Sequence, residues 1–224
     1  MRKKIGFVDK IIKEGIEKKI IPGAVLLVGR KNEIFYWKAY GNREILPEKI
    51  KMEKYTIFDL ASITKPVATA TSIMILVEES KMSVNDKVIK YIPEFGNNRK
   101  EEITIKMLLT HYSGLSNRKF HNTPTKIIER ICEETPICKP NSEFNYSCLG
   151  YIMLGKIVEL VSGKSLDVFT KEKIFEPLGM KDTMFNPPEK LWVRCAPTCY
   201  RNGKLLKGKV NDMQAYVMGG VAGN

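Results

Sequence analysis

The distribution of apolar residues predicts that the chain begins with a helix and a β-hairpin. From Val8 to Ile20, apolar residues recur every three or four positions, which is the period of an amphipathic helix lying on a larger body. Pro22 and Gly23 interrupt this pattern. An apolar run at residues 24–29 and an aromatic-rich, partly alternating run at residues 33–40 follow. Two such runs joined by a short polar segment are typical of an antiparallel hairpin with one covered face.

Helical periodicity dominates the rest of the chain. It indicates a long helix at residues 63–80. Shorter helices are predicted at 103–109, 125–133, 149–162 and 166–174. A hairpin followed by a mostly helical region predicts an α/β protein of the α+β type, with an antiparallel sheet flanked by helices. We expect residues 1–54 to hold the first helix and strands, and residues 55–224 to form the mostly helical part.

Charge and cysteine content argue against several classes of protein. The formal net charge of +12 comes mostly from lysines that are spread along the chain and interleaved with glutamates. Because no arginine-rich arm or zinc-finger pattern accompanies it, we expect no nucleic-acid partner, although the charge alone leaves a polyanion-binding function open. The five cysteines are scattered without a CxxC pair or a histidine cluster. This pattern predicts reduced thiols and no metal site.

Membrane segments are not predicted either. Charged residues interrupt the N-terminal segment, so a signal peptide is not expected there. The longest apolar stretch, residues 67–77, is about half as long as a membrane-spanning helix. We therefore expect a cytoplasmic protein with no membrane partner.

The sequence Ser62-Ile63-Thr64-Lys65 lies where an extended segment is predicted to turn into a helix. Residues three apart lie on the same face of a helix, so the Lys65 amine can reach the Ser62 hydroxyl. Serine is a weak nucleophile until a neighbouring base takes its proton. The helix N-terminus would also direct N–H groups toward an oxyanion formed nearby. The pattern therefore indicates Ser62 as a nucleophile and Lys65 as its helper.

Alone, these four residues are a weak signal, because an ordinary helix cap with a surface lysine has the same pattern. The longer segment at residues 58–66, FDLASITKP, resembles the nucleophile segment of the serine β-lactamase and penicillin-binding-protein superfamily. The similarity is strongest to its class C β-lactamase, esterase and D-peptidase branches. Further landmarks of that superfamily follow in order at residues 103–115, 140–147, 175–180 and 219–223.

The resemblance implies a β-lactamase-like fold and a covalent mechanism. The implied reaction is acyl transfer to Ser62 followed by hydrolysis, with a small-molecule ester, D-amino-acid peptide or β-lactam as substrate and no cofactor. In that superfamily, the tyrosine of a Tyr-x-Asn motif acts with the lysine as general base and acid. That role falls on Tyr146 by resemblance.

The sequence departs from the superfamily pattern in two places. Cys148 occupies the position of the motif's asparagine, and a thiol lacks the two donors and the carbonyl acceptor of an amide. As the substrate-binding residue, Cys148 should grip a substrate amide weakly, which favours esters over peptides and β-lactams. The third motif, Lys-Thr-Gly or His-x-Gly, has no counterpart after Tyr146. We therefore expect a C-terminally truncated domain that lacks the last strands of its sheet.

Alternative functions remain open at this stage. A truncated homologue could be a catalytically impaired binding module that depends on a partner, through self-association or a complementing C-terminal segment. A Ser-His-Asp triad with His111 and Asp59 is also conceivable. The absence of a Gly-x-Ser-x-Gly elbow favours a structural role for His111 instead. His121, in a polar loop, is assigned no function.

Overall fold

The described residues, 2–120 and 123–223 of the computed structural model, form two units. The first unit comprises Met1–Asp59 and Pro187–Gly208, and the second comprises Leu60–Asn186 and Lys209–Asn224. The predicted division of the chain between residues 54 and 55 stays a prediction. No helix in the described ranges has both the length and the apolar character needed to cross a membrane.

The regular elements are numbered in chain order. The α-helices of the described residues are α1 (Arg2–Glu17), α2 (Thr71–Glu78), α3 (Ile105–Leu109), α4 (Pro124–Glu133), α5 (Cys148–Ser162), α6 (Leu166–Thr170), α7 (Glu189–Trp192) and α8 (Met213–Val217). The strands are β1 (Gly23–Arg30), β2 (Glu33–Glu44), β3 (Ile50–Lys51), β4 (Tyr200–Arg201) and β5 (Lys204–Leu205). Short 3₁₀ or π-helical turns lie at Ala61–Ile63, Lys65–Ala70, Val88–Lys90, Pro93–Gly96 and Lys171–Phe175.

The first unit confirms the predicted helix and hairpin. Strands β1, β2 and β3 form an antiparallel sheet in that order. Lys31 and Asn32, which connect β1 to β2, have φ of 50° and 64°. Positive φ at both turn residues suits the right-handed twist of a tight hairpin.

A second hairpin of this unit, β4 and β5, was not predicted. Asn202 and Gly203 connect its strands and also have positive φ. An Asn-Gly pair is the strongest short-range signal for such a turn. The signal was therefore present in the sequence, but the strands on either side are too short to show alternation. Residues 187–208, which contain this hairpin, belong to the first unit. There, Cys195 pairs with Ile57 in an isolated β-bridge.

The second unit is built around α5. This helix buries ten of its 15 residues, as expected for a helix that is apolar on all sides. Helices α2, α3, α4 and α6 pack against it. Gly163 ends α5 in the left-handed conformation, with φ of 71°, which is the common glycine C-cap. The first residue of α5, Cys148, consequently has a fixed position in the core.

The predicted helices of the second unit are confirmed with two differences. The helix predicted at residues 166–174 consists of α6 and the π-helical turn at Lys171–Phe175. The segment predicted as a long helix at residues 63–80 consists of a 3₁₀ turn at Ala61–Ile63, a π-helical turn at Lys65–Ala70, and α2. Apolar spacing cannot separate these forms over so few residues, because all of them return to the same face after three to five positions. The sheet with its flanking helices confirms the predicted α/β class.

Candidate active site

Ser62 and Lys65 lie on successive short turns. Ser62 is exposed and is the middle residue of the 3₁₀ turn, and Lys65, at 3% exposure, begins the π-helical turn. The Lys65 Nζ donates a hydrogen bond of 3.1 Å to Ser62 Oγ. The residue before the serine, Ala61, has φ of 46°. A left-handed conformation at alanine is strained, and such strain is concentrated at functional sites.

Tyr146 completes the group around the serine hydroxyl. Its phenol donates a hydrogen bond of 2.8 Å to Ser62 Oγ, although the two residues lie 84 positions apart in the sequence. The tyrosine is 38% exposed, so the Ser62 oxygen lies between a buried ammonium group and a phenol that is open to solvent. The structure thus brings together the three residues predicted to be catalytic.

Cys148 also contacts the lysine. Lys65 Nζ donates a hydrogen bond of 3.4 Å to Cys148 Sγ. The ammonium group also lies 5.1 Å from the centroid of the Tyr146 ring and 5.6 Å from that of Tyr151, distances at which a cation is attracted to an aromatic face. The lysine is therefore held by Ser62, the thiol and two aromatic rings.

His111 supports the backbone on which Tyr146 lies. Its Nδ1 accepts a hydrogen bond of 3.2 Å from the N–H of Ser147, and its carbonyl accepts one of 2.8 Å from the N–H of Asn145. The imidazole packs against the Tyr146 ring at a centroid distance of 4.5 Å. Burial lowers the pKa of His111, and the nearby Lys65 charge lowers it further. A neutral ring whose Nδ1 accepts a backbone N–H supports the structural role that the sequence favoured.

A second set of hydrogen bonds joins the start of α5 to residues 115–117. Asn145 Nδ2 donates to the carbonyl of Leu115 at 2.6 Å, and Ser147 Oγ donates to the carbonyl of Ser116 at 2.6 Å. The Cys148 N–H donates to Asn117 Oδ1 at 3.0 Å. Every residue from 145 to 148 except Tyr146 is therefore tied by a side chain or backbone bond to the segment 111–117, and Tyr146 is left to face Ser62.

Sequence reasoning missed the supporting residues of this site. Asn117 and Ser116 belong to no motif, and their spacing to α5 gives no local signal. Ser147 did offer one, because its hydroxyl caps α5 by accepting from the Gly150 N–H at 3.4 Å, and serine is a preferred helix N-cap. His121 lies outside the described residues.

Comparisons with known proteins extend over nearly the whole chain. A family model described as Beta-lactamase matches residues 8–224. The chain is 33% identical over 263 aligned residues to the N-acetylmuramyl-L-alanine amidase of Bacillus subtilis (strain 168), covering 99% of this chain and 59% of that protein. It is 31% identical over 243 aligned residues to a D-alanyl-D-alanine carboxypeptidase-like protein of Escherichia coli (strain K12), covering 91% and 56%.

The fold is also similar to a solved structure. The octameric penicillin-binding protein homologue from Pyrococcus abyssi matches with a TM-score of 0.78 and 29% identity, over 98% of this chain and 52% of that chain. The chain thus spans between half and three fifths of the length of these relatives. A family model that matches almost every residue, together with this similarity, shows that the chain belongs to the beta-lactamase family.

Proposed function

We propose that this chain provides the nucleophile of a serine hydrolase that acts by acyl transfer to Ser62. The observation that supports this most directly is the pair of hydrogen bonds to Ser62 Oγ, from Lys65 at 3.1 Å and Tyr146 at 2.8 Å. Each group lies within the distance at which a general base or acid exchanges a proton with the serine. The activity of the whole protein stays a prediction, and so does its cytoplasmic location.

In the proposed reaction, Ser62 Oγ attacks the acyl carbon of the substrate while its proton passes to the neutral amine of Lys65 or to the phenolate of Tyr146, since neither an ammonium group nor a neutral phenol can act as the base. The bond to the leaving group then breaks, and Tyr146 protonates the departing oxygen or nitrogen. Its exposed phenol suits this step, because the leaving group must reach solvent. Water attacks the acyl-serine by the same proton path in reverse, which releases the acid and restores Ser62.

For the substrate, we favour an ester or another acyl compound that does not need a hydrogen bond from residue 148. The names of the relatives point to an amide bond of N-acetylmuramyl-L-alanine and to D-alanyl-D-alanine. Cys148 Sγ, however, already contacts Lys65, and Asn117 Oδ1 takes its backbone N–H. Lys65 therefore already uses the weak acceptor of the thiol, and only a weak S–H donor is left for a substrate amide.

The proposal is tested by substitutions at the three residues. Ser62→Ala should abolish labelling by a fluorophosphonate and hydrolysis of a p-nitrophenyl ester. Lys65→Ala and Tyr146→Phe should each lower the rate by at least about a hundredfold, the usual lower size of a general-base contribution. Tyr112→Phe is the matched control for Tyr146→Phe, because Tyr112 is 37% exposed, close to the 38% of Tyr146, and its ring contacts Phe144. Equal activity of wild type and Ser62→Ala would refute the assignment.

A further inference from the structure

Cys148 places an oxidisable sulfur in contact with the proposed catalytic lysine. Its Sγ lies 3.4 Å from Lys65 Nζ, and the same Nζ lies 3.1 Å from Ser62 Oγ. The backbone of Cys148 is held in place, because its N–H donates to Asn117 Oδ1 and because it is the first residue of α5. Any chemical change at this sulfur therefore acts directly on the lysine that also contacts the nucleophile.

The surroundings of Cys148 differ from those of the other buried thiols. Burial raises the pKa of Cys132 to about 11 and also raises the pKa of Cys195. Thiols held in the neutral form react slowly with oxidants, because the thiolate is the nucleophile. The sulfur of Cys148 instead accepts a hydrogen bond from an ammonium group and lies at the N-terminus of a 15-residue helix. Both features stabilise the polar S–O group that oxidation adds to the sulfur.

We propose that Cys148 is a redox modification site, at which oxidation by hydrogen peroxide switches off the hydrolase. The Cys148 sulfur attacks one peroxide oxygen, the O–O bond breaks, and the departing hydroxide takes the thiol proton to form water. The products are one Cys148 sulfenic acid and one water, with the sulfur oxidised by two electrons and the peroxide reduced by two. This inference rests on the proposed function only for its effect on turnover.

The effect on turnover follows from the contacts of Lys65. An S–O oxygen is a stronger hydrogen-bond acceptor than a thiol sulfur, so it competes with Ser62 Oγ for the Lys65 ammonium group. A stronger bond to residue 148 weakens the contact between Lys65 and Ser62. A lysine that no longer contacts Ser62 cannot take its proton, so acylation stops. Two equivalents of an added thiol reverse the change, because they reduce the sulfenic acid to the thiol and leave as a disulfide with water.

The test compares ester turnover before and after treatment of the purified protein with hydrogen peroxide. Each variant is normalised to its own untreated rate, and dimedone traps sulfenic acid for mapping by peptide mass spectrometry. Wild type and the matched control Cys138→Ala should lose at least about a hundredfold in turnover, as expected for loss of a general base. Dithiothreitol should restore both. Cys148→Ala, or Cys148→Ser if alanine prevents folding, should keep its untreated rate.

The outcomes separate this inference from the proposed function. A dimedone adduct on Cys148 together with reversible loss of turnover supports the switch. Ester turnover that peroxide leaves unchanged would refute the switch while the hydrolase assignment stands. A protein with no ester turnover before treatment would refute the hydrolase assignment, and the dimedone adduct would still decide whether Cys148 is the modified residue. Absence of an adduct on Cys148 would overturn the inference in every case.

Discussion

Two glycines of the second unit allow the cost of a close backbone contact to be measured separately from the cost of a left-handed residue. Gly114 and Gly163 have nearly the same positive φ, of 73° and 71°. A Cβ at position 114 would lie 2.3 Å from the carbonyl oxygen of Cys138, whereas a Cβ at position 163 would meet nothing within 4 Å. Gly114→Ala and Gly163→Ala therefore differ mainly in whether the added Cβ clashes with the backbone.

The expected magnitudes follow from these two terms. Gly163→Ala should lower the free energy of unfolding by about 1–2 kcal/mol, the cost of a left-handed alanine. Gly114→Ala should lower it by about 2–5 kcal/mol, because overpacking against a fixed carbonyl adds about 1–3 kcal/mol. The contact is hard to relieve, because the N–H of Ile137 donates to the Gly114 carbonyl at 2.8 Å and holds the two segments together.

Urea unfolding followed by far-ultraviolet circular dichroism is the suitable assay, since most of the helices lie in the second unit. Tryptophan fluorescence would report on the wrong part of the molecule, because Trp37 and Trp192 both belong to the first unit. Gly114→Ala should also lower ester turnover, because Gly114 lies in the segment 111–117 that holds Tyr146 in place. Equal losses of stability in the two variants would refute the argument from close contact.

Three further predictions concern Cys148, His111 and the sheet edge. Cys148→Asn should raise acylation by a β-lactam several-fold more than cleavage of a small activated ester, since each hydrogen bond recovered is worth about 1 kcal/mol; an unchanged ratio of the two rates would show that position 148 does not contact the substrate. His111→Ala should lower kcat by about tenfold or less with KM nearly unchanged, because it removes the acceptor of the Ser147 N–H, a bond worth about 1 kcal/mol. His111→Asn, which keeps an acceptor, should recover part of that loss, and equal kcat in wild type and His111→Ala would contradict the positioning role. In the first unit, β1 is an edge strand of the described sheet and Leu27 on it is 49% exposed, so we expect self-association that Leu27→Lys weakens. Light scattering that finds a monomer of wild type at all concentrations would rule this out.

Local sequence determined the parts of the site that lie within one turn. Ser62 and Lys65 are three positions apart, so a helical turn brings their side chains to one face and within reach of the 3.1 Å contact. The hairpin of β1 and β2 was likewise predictable, because alternation and a turn signal are contained in adjacent residues. Helix α5 was predictable from its length and apolar character.

Contacts between distant segments could not be predicted in this way. Tyr146 was proposed from resemblance to a superfamily, since nothing in its own neighbourhood indicates that its phenol reaches Ser62. The support from His111 and Asn117 belongs to no pattern, because these residues meet residues 145–148 only after α3 and α5 have packed together. The same holds for the pairing of Ile57 with Cys195, because most residues of the second unit lie between them in the sequence.

Cys148 shows the difference most clearly. The sequence established that a thiol stands where the related superfamily has an amide, and it predicted a weaker grip on the substrate. Only the tertiary structure shows that the sulfur contacts Lys65, because the two residues lie 83 positions apart and meet through the packing of α5 against the turn at Lys65–Ala70. The sequence gives the type of each residue. The packing of the buried helix faces decides which groups come within about 3–4 Å of each other.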